Sequence, residues 1–194
     1  MSFVNYRDKE INFKIVYYGP GLSGKTTSIE RIYDRTKGKN KSKMMRQENN
    51  ERTLFFDFIP LTIEGVSGYK TRFHLYTVPG QPLYEDSRRL ILKGVDGIMF
   101  VADSEIDKME SNLQALESLK NNLKEEGYGL ESIPIVVQYN KRDSKKAVDL
   151  DALKKIVNPS QFPEFQTVAV KDEGIFDAFK CLAKAVLRDY SEHH

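Results

Sequence analysis

Residues Gly19 to Thr27 read GPGLSGKTT. They follow INFKIVYY (11–18), a run of β-branched and aromatic residues, and precede SIERIYDRT (28–36), which carries a helical period. A glycine loop between strand and helix, closing on Lys25 and Thr26 at the spacing G-x-x-x-x-G-K-T, is suited to holding a phosphate chain. Its glycines let successive backbone N–H groups converge on phosphate oxygens, and the helix N-terminus adds positive potential at the same point. Lys25 then neutralises the β- and γ-phosphates. The Thr26 hydroxyl suits Mg²⁺, which takes oxygen donors and keeps several waters beside a nucleotide. A plain turn would not need Lys and Thr directly after its last glycine. The phosphate site is therefore assigned to Gly19, Pro20, Gly21, Leu22, Ser23, Gly24, Lys25, Thr26 and Thr27. Gly21 has no Cβ beside the γ-phosphate position and leaves space for an attacking water, while Pro20 stiffens the loop through its fixed φ.

Beyond the loop, extended and helical patterns alternate, as in a parallel sheet with crossover helices. LFFDFIPLTI (54–63) and YKTRFHLYTV (69–78) flank EGVSG and read as an antiparallel hairpin with Gly65 and Gly68 in its turn. Pro60 cannot donate to a ladder, which places the first of these strands at the sheet edge. Phe55, Phe56, Phe58, Ile59 and Leu61 put apolar groups on both faces of that strand, to be covered either by helices or by a partner. GIMFVAD (97–103) and PIVVQYN (134–140) read as buried parallel strands. Met109, Leu113, Leu116, Leu119 and Leu123 form one helical stripe, and Ile175, Phe179, Leu182 and Val186 another. Lys37 to Asn50 shows no apolar period and reads as a basic loop. The expected architecture is an α/β three-layer sandwich: a mostly parallel six-stranded sheet with one antiparallel edge strand, in a single domain over 1–194. Residues 191–194 are expected to be a disordered tail or a tag remnant.

The length of 194 residues supports one core rather than two, and 40% hydrophobic with 30% charged residues is a globular composition. A net charge of +2 gives no global field toward nucleic acid or an anionic membrane. Cys181 is the single cysteine, which excludes an intramolecular disulfide and fits a reducing cytoplasm. MSFVNYRDKE has no apolar signal core, position 2 is Ser rather than a myristoylated Gly, and neither a membrane-spanning run nor a prenylation motif is found.

The base is chosen elsewhere. Asn140-Lys141-Arg142-Asp143 ends a predicted strand, at the sheet edge where α/β proteins bind ligands. The Asp143 carboxylate is able to accept from guanine N1–H and the exocyclic amine together, a donor pair that adenine lacks. Adenine would leave it desolvated and unpaired, at a cost of about several kcal/mol. Asn140 is expected to tie the base loop to the phosphate loop, and the Lys141 stem to cover the base.

In order and spacing, GPGLSGKTT, ERTLFF (51–56), TVPGQ (77–81) and NKRD (140–143) resemble a P-loop NTPase of the Ras-like small GTPase class. More narrowly, YYGPGLSGKTT, ERTLFFDF, TRFHLYTVPGQ, SRRLILKGVDG and QYNKRD resemble the bacterial MglA family of gliding and polarity GTPases. The resemblance covers nearly the whole chain. It implies that GTP and GDP are the ligands, with Mg²⁺ as cofactor held by Thr26 and, in the GTP state, by Thr53. The Gly80 amide would sense the γ-phosphate, Gln81 would orient the attacking water, and Arg52 would act as an arginine finger in cis beside Lys25. Val168-Ala169-Val170 would supply the backbone N–H for guanine O6. One position departs from the wider class: Thr77 stands where Asp-x-x-Gly has the Asp that organises the magnesium waters, although MglA-like proteins share this Thr. Asp57, a lone acid in an apolar run, is a substitute carboxylate or else an outward acid blunting the sheet edge.

The resemblance further implies a slow GTP hydrolase accelerated by an MglB-like roadblock-domain partner, a shift in register of the LFFDFIP strand, and effectors at the switch segments and that apolar edge. A bacterial cytoplasmic protein recruited to a cell pole follows from it. Two other readings are a GTP-binding module without turnover, which Thr77 favours and Gln81 opposes, and a P-loop phosphotransferase or ATPase, which NKRD opposes. His74 reads as a surface position. Tyr84, Arg88 and Arg89 read as effector contacts or a solvated helix face, and Lys171 lies close to the base loop, with a solvated loop lysine as the default reading.

Overall fold

The computed structural model describes residues 3–7, 9–36, 45–49, 52–63, 70–80 and 84–193. Its strands are β1 (Phe3–Asn5), β2 (Glu10–Tyr18), β3 (Met45–Asn49), β4 (Arg52–Ile63), β5 (Lys70–Thr77), β6 (Gly97–Asp103), β7 (Ile135–Asn140) and β8 (Glu164–Gln166). The helices are α1 (Lys25–Thr36), α2 (Glu85–Leu92), α3 (Met109–Glu125), α4 (Leu150–Val157) and α5 (Ile175–His193). The sheet order is β3-β4-β5-β2-β6-β7-β8, with β1 on β2. From β5 to β8 every neighbour is parallel, while β4 runs antiparallel to β5. The expected six strands are thus present in that order, and two more flank them. β1 pairs antiparallel with the start of β2, and β3 pairs antiparallel with β4.

The extra strand β3 corrects two expectations. Met45–Asn49 lies inside the segment read as loop, and β4 is consequently the penultimate strand rather than the edge. Five polar-rich residues, MRQEN, carry no period that marks a strand; their backbone pairing with β4 supplies it. Pro60 is still consistent with this arrangement, because the last β3 pair is Met45 with Phe58, two residues short of it. The β4–β5 hairpin is formed, Ile59 opposite Leu75 and Ile63 opposite Thr71; its turn, with Gly65 and Gly68, lies outside the described residues.

Alternation along β2 divides the core into two layers. Ile11, Phe13, Ile15 and Tyr17 face α1 and α5, where Ile29, Ile32, Ile175, Phe179, Leu182 and Val186 pack. Val16 and Tyr18 face α2, α3 and α4, with Leu92, Leu116, Leu119, Leu123, Leu153 and Val157. Strands β6 and β7 are buried at every residue, which is why both read as continuous apolar runs. Leu113 is the exception in its stripe and is 40% exposed. Helix α5 continues to His193, with Arg188 bonded to Glu192, where a loose tail was expected from 191. Because β2 sits in the middle of the sheet, the loop after Tyr18 emerges between the ends of β5 and β6, at the carboxyl edge used for ligands.

Candidate nucleotide-binding site

The first backbone bond at the start of α1 runs from Ser28 N–H to the Gly24 carbonyl, so the amides of Lys25, Thr26 and Thr27 precede the helical ladder. They are the donors that the glycine loop turns toward an anion. Leu22 adopts φ 63° and is 76% exposed. Gly24 adopts φ 100°, and a Cβ there would lie 2.1 Å from Asn140 Nδ2, so no other residue fits. Lys25 is buried and donates to the carbonyls of Gly19 at 2.9 Å and Pro20 at 2.6 Å. Burial, with the neighbouring Arg88 charge adding to it, pushes its ammonium from the ordinary 10.5 down to about 7.

Asn140 makes the bridge that was anticipated. Its Nδ2 donates to the Ser23 carbonyl at 2.7 Å, and its Oδ1 accepts from Ala169 N–H at 2.9 Å and the Thr167 hydroxyl at 3.2 Å. Phosphate loop and base loop are thereby one rigid unit. Val168 N–H bonds the Glu173 carbonyl and Ala169 N–H is taken by Asn140, which leaves Val170 as the remaining amide of the 168–170 run. Val170 is itself 64% exposed. Lys141, at φ 63°, donates to Asp103 at 2.5 Å and Glu105 at 3.4 Å. Burial works against its charge, but these two carboxylates outweigh it and hold its pKa above the ordinary value. Asp103 is wholly buried, and Asn112 of α3 bonds both its backbone N–H and its carbonyl. Asp143 pairs with Lys171 at 3.1 Å, so the exposed Lys171 is a neighbour of the carboxylate expected to read the base.

At the end of β5 the structure brings Gly80 onto the phosphate loop. A Cβ on Gly80 would lie 2.3 Å from the Gly21 N, a contact only glycine escapes. Gly21 faces the same segment at a looser distance: a Cβ there would meet the Gly80 carbonyl oxygen at 3.7 Å, an ordinary contact. Thr77 is 3% exposed. A cavity of about 330 Å³ opens between the phosphate loop and the α2–α3 pair, lined by Tyr18, Gly19, Gly21, Gly80, Glu85, Arg88 and Ser118 among others.

Arg88 corrects an expectation. It is 5% exposed and turned inward, not an effector contact, whereas Arg89 pairs with Glu125 at the surface. Its partners are the Pro79 carbonyl, Ser118 and Glu85. Sequence reasoning missed Glu85, Ser118, Asn122 and Asp103 as well. The Glu85 and Arg88 spacing of i, i+3 was the visible signal, but their partners lie about one strand and one helix away along the chain. His74 is half-buried and bonded to Asn12 at 2.7 Å; burial, then Arg72, lowers its pKa.

Arg52 and Thr53 open β4, where they pair with Asn49 and Glu48 of β3. Gln81 lies outside the described residues. For Mg²⁺ the donor chemistry fits: Thr26 opens α1 beside the phosphate donors, and hydroxyls with phosphate oxygens satisfy a cation that retains water. Among the described residues no group of three or more His, Cys, Asp or Glu side chains is placed to hold a metal by itself, so the phosphates have to share in it. No described helix is long and apolar enough to cross a membrane.

The sequence model of the ADP-ribosylation factor family matches residues 2–186. The chain is 54% identical over 190 residues to the mutual gliding-motility protein MglA of Myxococcus xanthus (strain DK1622), covering 97% of each protein. It is 25% identical over 154 residues to ADP-ribosylation factor-like protein 4A of Homo sapiens and of Mus musculus, covering 75% of this chain and 66% of theirs.

Proposed function

The chain belongs to the ADP-ribosylation factor family of Ras-like small GTPases, and from that premise we propose that it is the guanine-nucleotide switch of a bacterial gliding or polarity system. As a GTPase switch it binds GTP, hydrolyses it to GDP, and presents different surfaces in the two states. The observation that carries this reading is the Asn140 bridge, which joins a phosphate loop to a loop ending in a guanine-reading carboxylate. A phosphotransferase or ATPase has no use for that link. The motility role rests on the likeness to MglA.

In the mechanism, Lys25 and the amides opening α1 hold the phosphate chain, and the Gly80 N–H senses the γ-phosphate. Gln81 orients the attacking water, with Arg52 and Lys25 offsetting charge on the transferred phosphoryl group. When bound, Mg²⁺ would be held by Thr26 and, in the GTP state, by Thr53, and would supply charge neutralisation for the phosphate chain. Asp143 reads the guanine edge, the Val170 amide faces O6, and the Lys141 stem covers the ring. Pairing of Arg52 and Thr53 with β3 keeps both in a ladder that a register shift of β4 would have to break. Turnover is slow until a roadblock-domain partner of the MglB kind engages β4 and the segment around Gly80. The protein works in the cytoplasm and is recruited to a cell pole.

Titration with GDP, GTP and ADP, followed by phosphate release from GTP with and without a roadblock-domain partner, tests the reading. Tight guanine binding, ADP rejection and hydrolysis lost in Arg52→Ala and Gln81→Leu are expected. Preference for ADP would sink the guanine assignment, and wild-type rates in both variants would sink the mechanism.

A further inference from the structure

Arg88 is buried on the phosphate side of α2, yet nothing in the reaction described above uses it. Its Nη1 donates to the Pro79 carbonyl at 3.3 Å. In a trans peptide, the C=O of one residue and the N–H of the next point in opposite directions, and no cis bond occurs among the described residues. The group that holds the Pro79 oxygen therefore fixes where the Gly80 N–H points. On its other side Gly80 is pressed to the phosphate loop, close enough that a Cβ would reach within 2.3 Å of Gly21 N. The Pro79–Gly80 peptide is thus held between a guanidinium and the loop.

Arg88 is itself fixed from three elements. Nε donates to Ser118 Oγ on α3 at 3.2 Å, and Nη2 donates to the Glu85 carboxylate at the start of α2. The other Glu85 oxygen accepts from Ser118 at 2.9 Å and from Asn122 at 2.7 Å. Tyr18, the last residue before the phosphate loop, closes the network through its hydroxyl, 2.6 Å from Ser118 Oγ and 3.1 Å from Asn122 Nδ2. Burial raises the Glu85 pKa, but the donors from Arg88, Ser118 and Asn122 outweigh it and keep the carboxyl ionised. Arg88 is buried but the Glu85 side chain is 43% exposed, so the pair adds little to stability; its value lies in fixing one arrangement.

We propose that Arg88 is a positioning residue for the Gly80 amide, acting through the Pro79–Gly80 peptide, and that Glu85, Ser118 and Asn122 set its orientation. It lets the segment around Gly80 respond to the γ-phosphate, and it ties that response to the packing of α2 on α3. The proposal rests on the reading of Gly80 as the γ-phosphate sensor.

The experiment measures Kd for GDP and for a non-hydrolysable GTP analogue in wild type, Arg88→Ala, Arg88→Lys and Glu85→Gln. Gly80 has no γ-phosphate to bind in the GDP complex, so GDP affinity should stay within about twofold. Affinity for the GTP analogue should fall by about tenfold in both Arg88 variants, the scale of one lost charge-assisted hydrogen bond, and less in Glu85→Gln. Lysine keeps the charge but not the fork, and its failure to rescue separates geometry from electrostatics. If Arg88→Ala does not fold, Arg88→Lys and Glu85→Gln decide. Equal losses for both nucleotides, or an unchanged ratio, overturn the proposal; wild-type protein that binds neither nucleotide overturns the GTPase reading beneath it.

Discussion

Asn140 at the end of β7 donates to the carbonyl of Ser23 in the phosphate loop, 2.7 Å away across 117 positions of sequence. Its other amide atom accepts from Ala169 and Thr167, so one side chain spans the two loops proposed to hold the two ends of a nucleotide.

Removing that side chain should cost more than one hydrogen bond. Asn140→Ala leaves the Ser23 carbonyl and the Ala169 N–H buried without partners, at about 1–3 kcal/mol each. We expect the nucleotide-free protein to lose about 2–4 kcal/mol in a denaturant titration, and GDP to bind more weakly. A loss under about 0.5 kcal/mol would mean that water replaces the amide.

Lys25 makes nucleotide binding and stability depend on pH. Its folded pKa of about 7 lies below the ordinary 10.5, so between these values the unfolded chain binds more protons than the folded one. Stability of the nucleotide-free protein should therefore rise with pH across that window and be insensitive to Lys25 below it. GDP restores the charged form, so binding near pH 8 should take up about one proton. Calorimetric titration in two buffers of different ionisation enthalpy reads that number; zero uptake would show that Lys25 is already charged when the site is empty.

The Asp143 pair with Lys171 is half-exposed on the lysine side, which limits its worth to about 0–1 kcal/mol. Lys171→Ala should then change GDP affinity by about threefold at most. Asp143→Ala should lower it by about 100-fold, while leaving weak ADP binding unchanged, because only guanine donates to that carboxylate. Competition binding against a fluorescent GDP distinguishes these outcomes.

Magnesium handling depends on what replaces the usual acid at Thr77. The β4–β5 ladder ends with Ile59 opposite Leu75, and Asp57 and Thr77 each lie two residues beyond that last pair. Asp57→Ala should reduce the effect of magnesium chelation on the GDP dissociation rate. An unchanged effect would leave Asp57 as an acid that blunts the outer strands.

How much of this was legible differs by residue. GPGLSGKTT and NKRD are local spacings set by backbone geometry, and they could be read without any contact being known. The parallel strands GIMFVAD and PIVVQYN were equally plain, because burial on both faces demands an unbroken apolar run. MRQEN was not, since it becomes β3 only by pairing with β4. Arg88 was misread as outward because helical spacing names a face but not which face meets α3.

By itself, then, the sequence determined the family, the central strands and the helices that follow them, and the loops to which phosphate and base are assigned, because each depends on local backbone form or on a side chain's own chemistry. Only the tertiary structure decided that Lys25 sits buried near Arg88, which atoms of Ser23, Thr167 and Ala169 Asn140 bonds, and that Arg88 holds the Pro79 carbonyl. Those are contacts between segments about 10 to 120 residues apart, and no local spacing encodes which donors and acceptors a folded sheet brings within hydrogen-bond reach of one another.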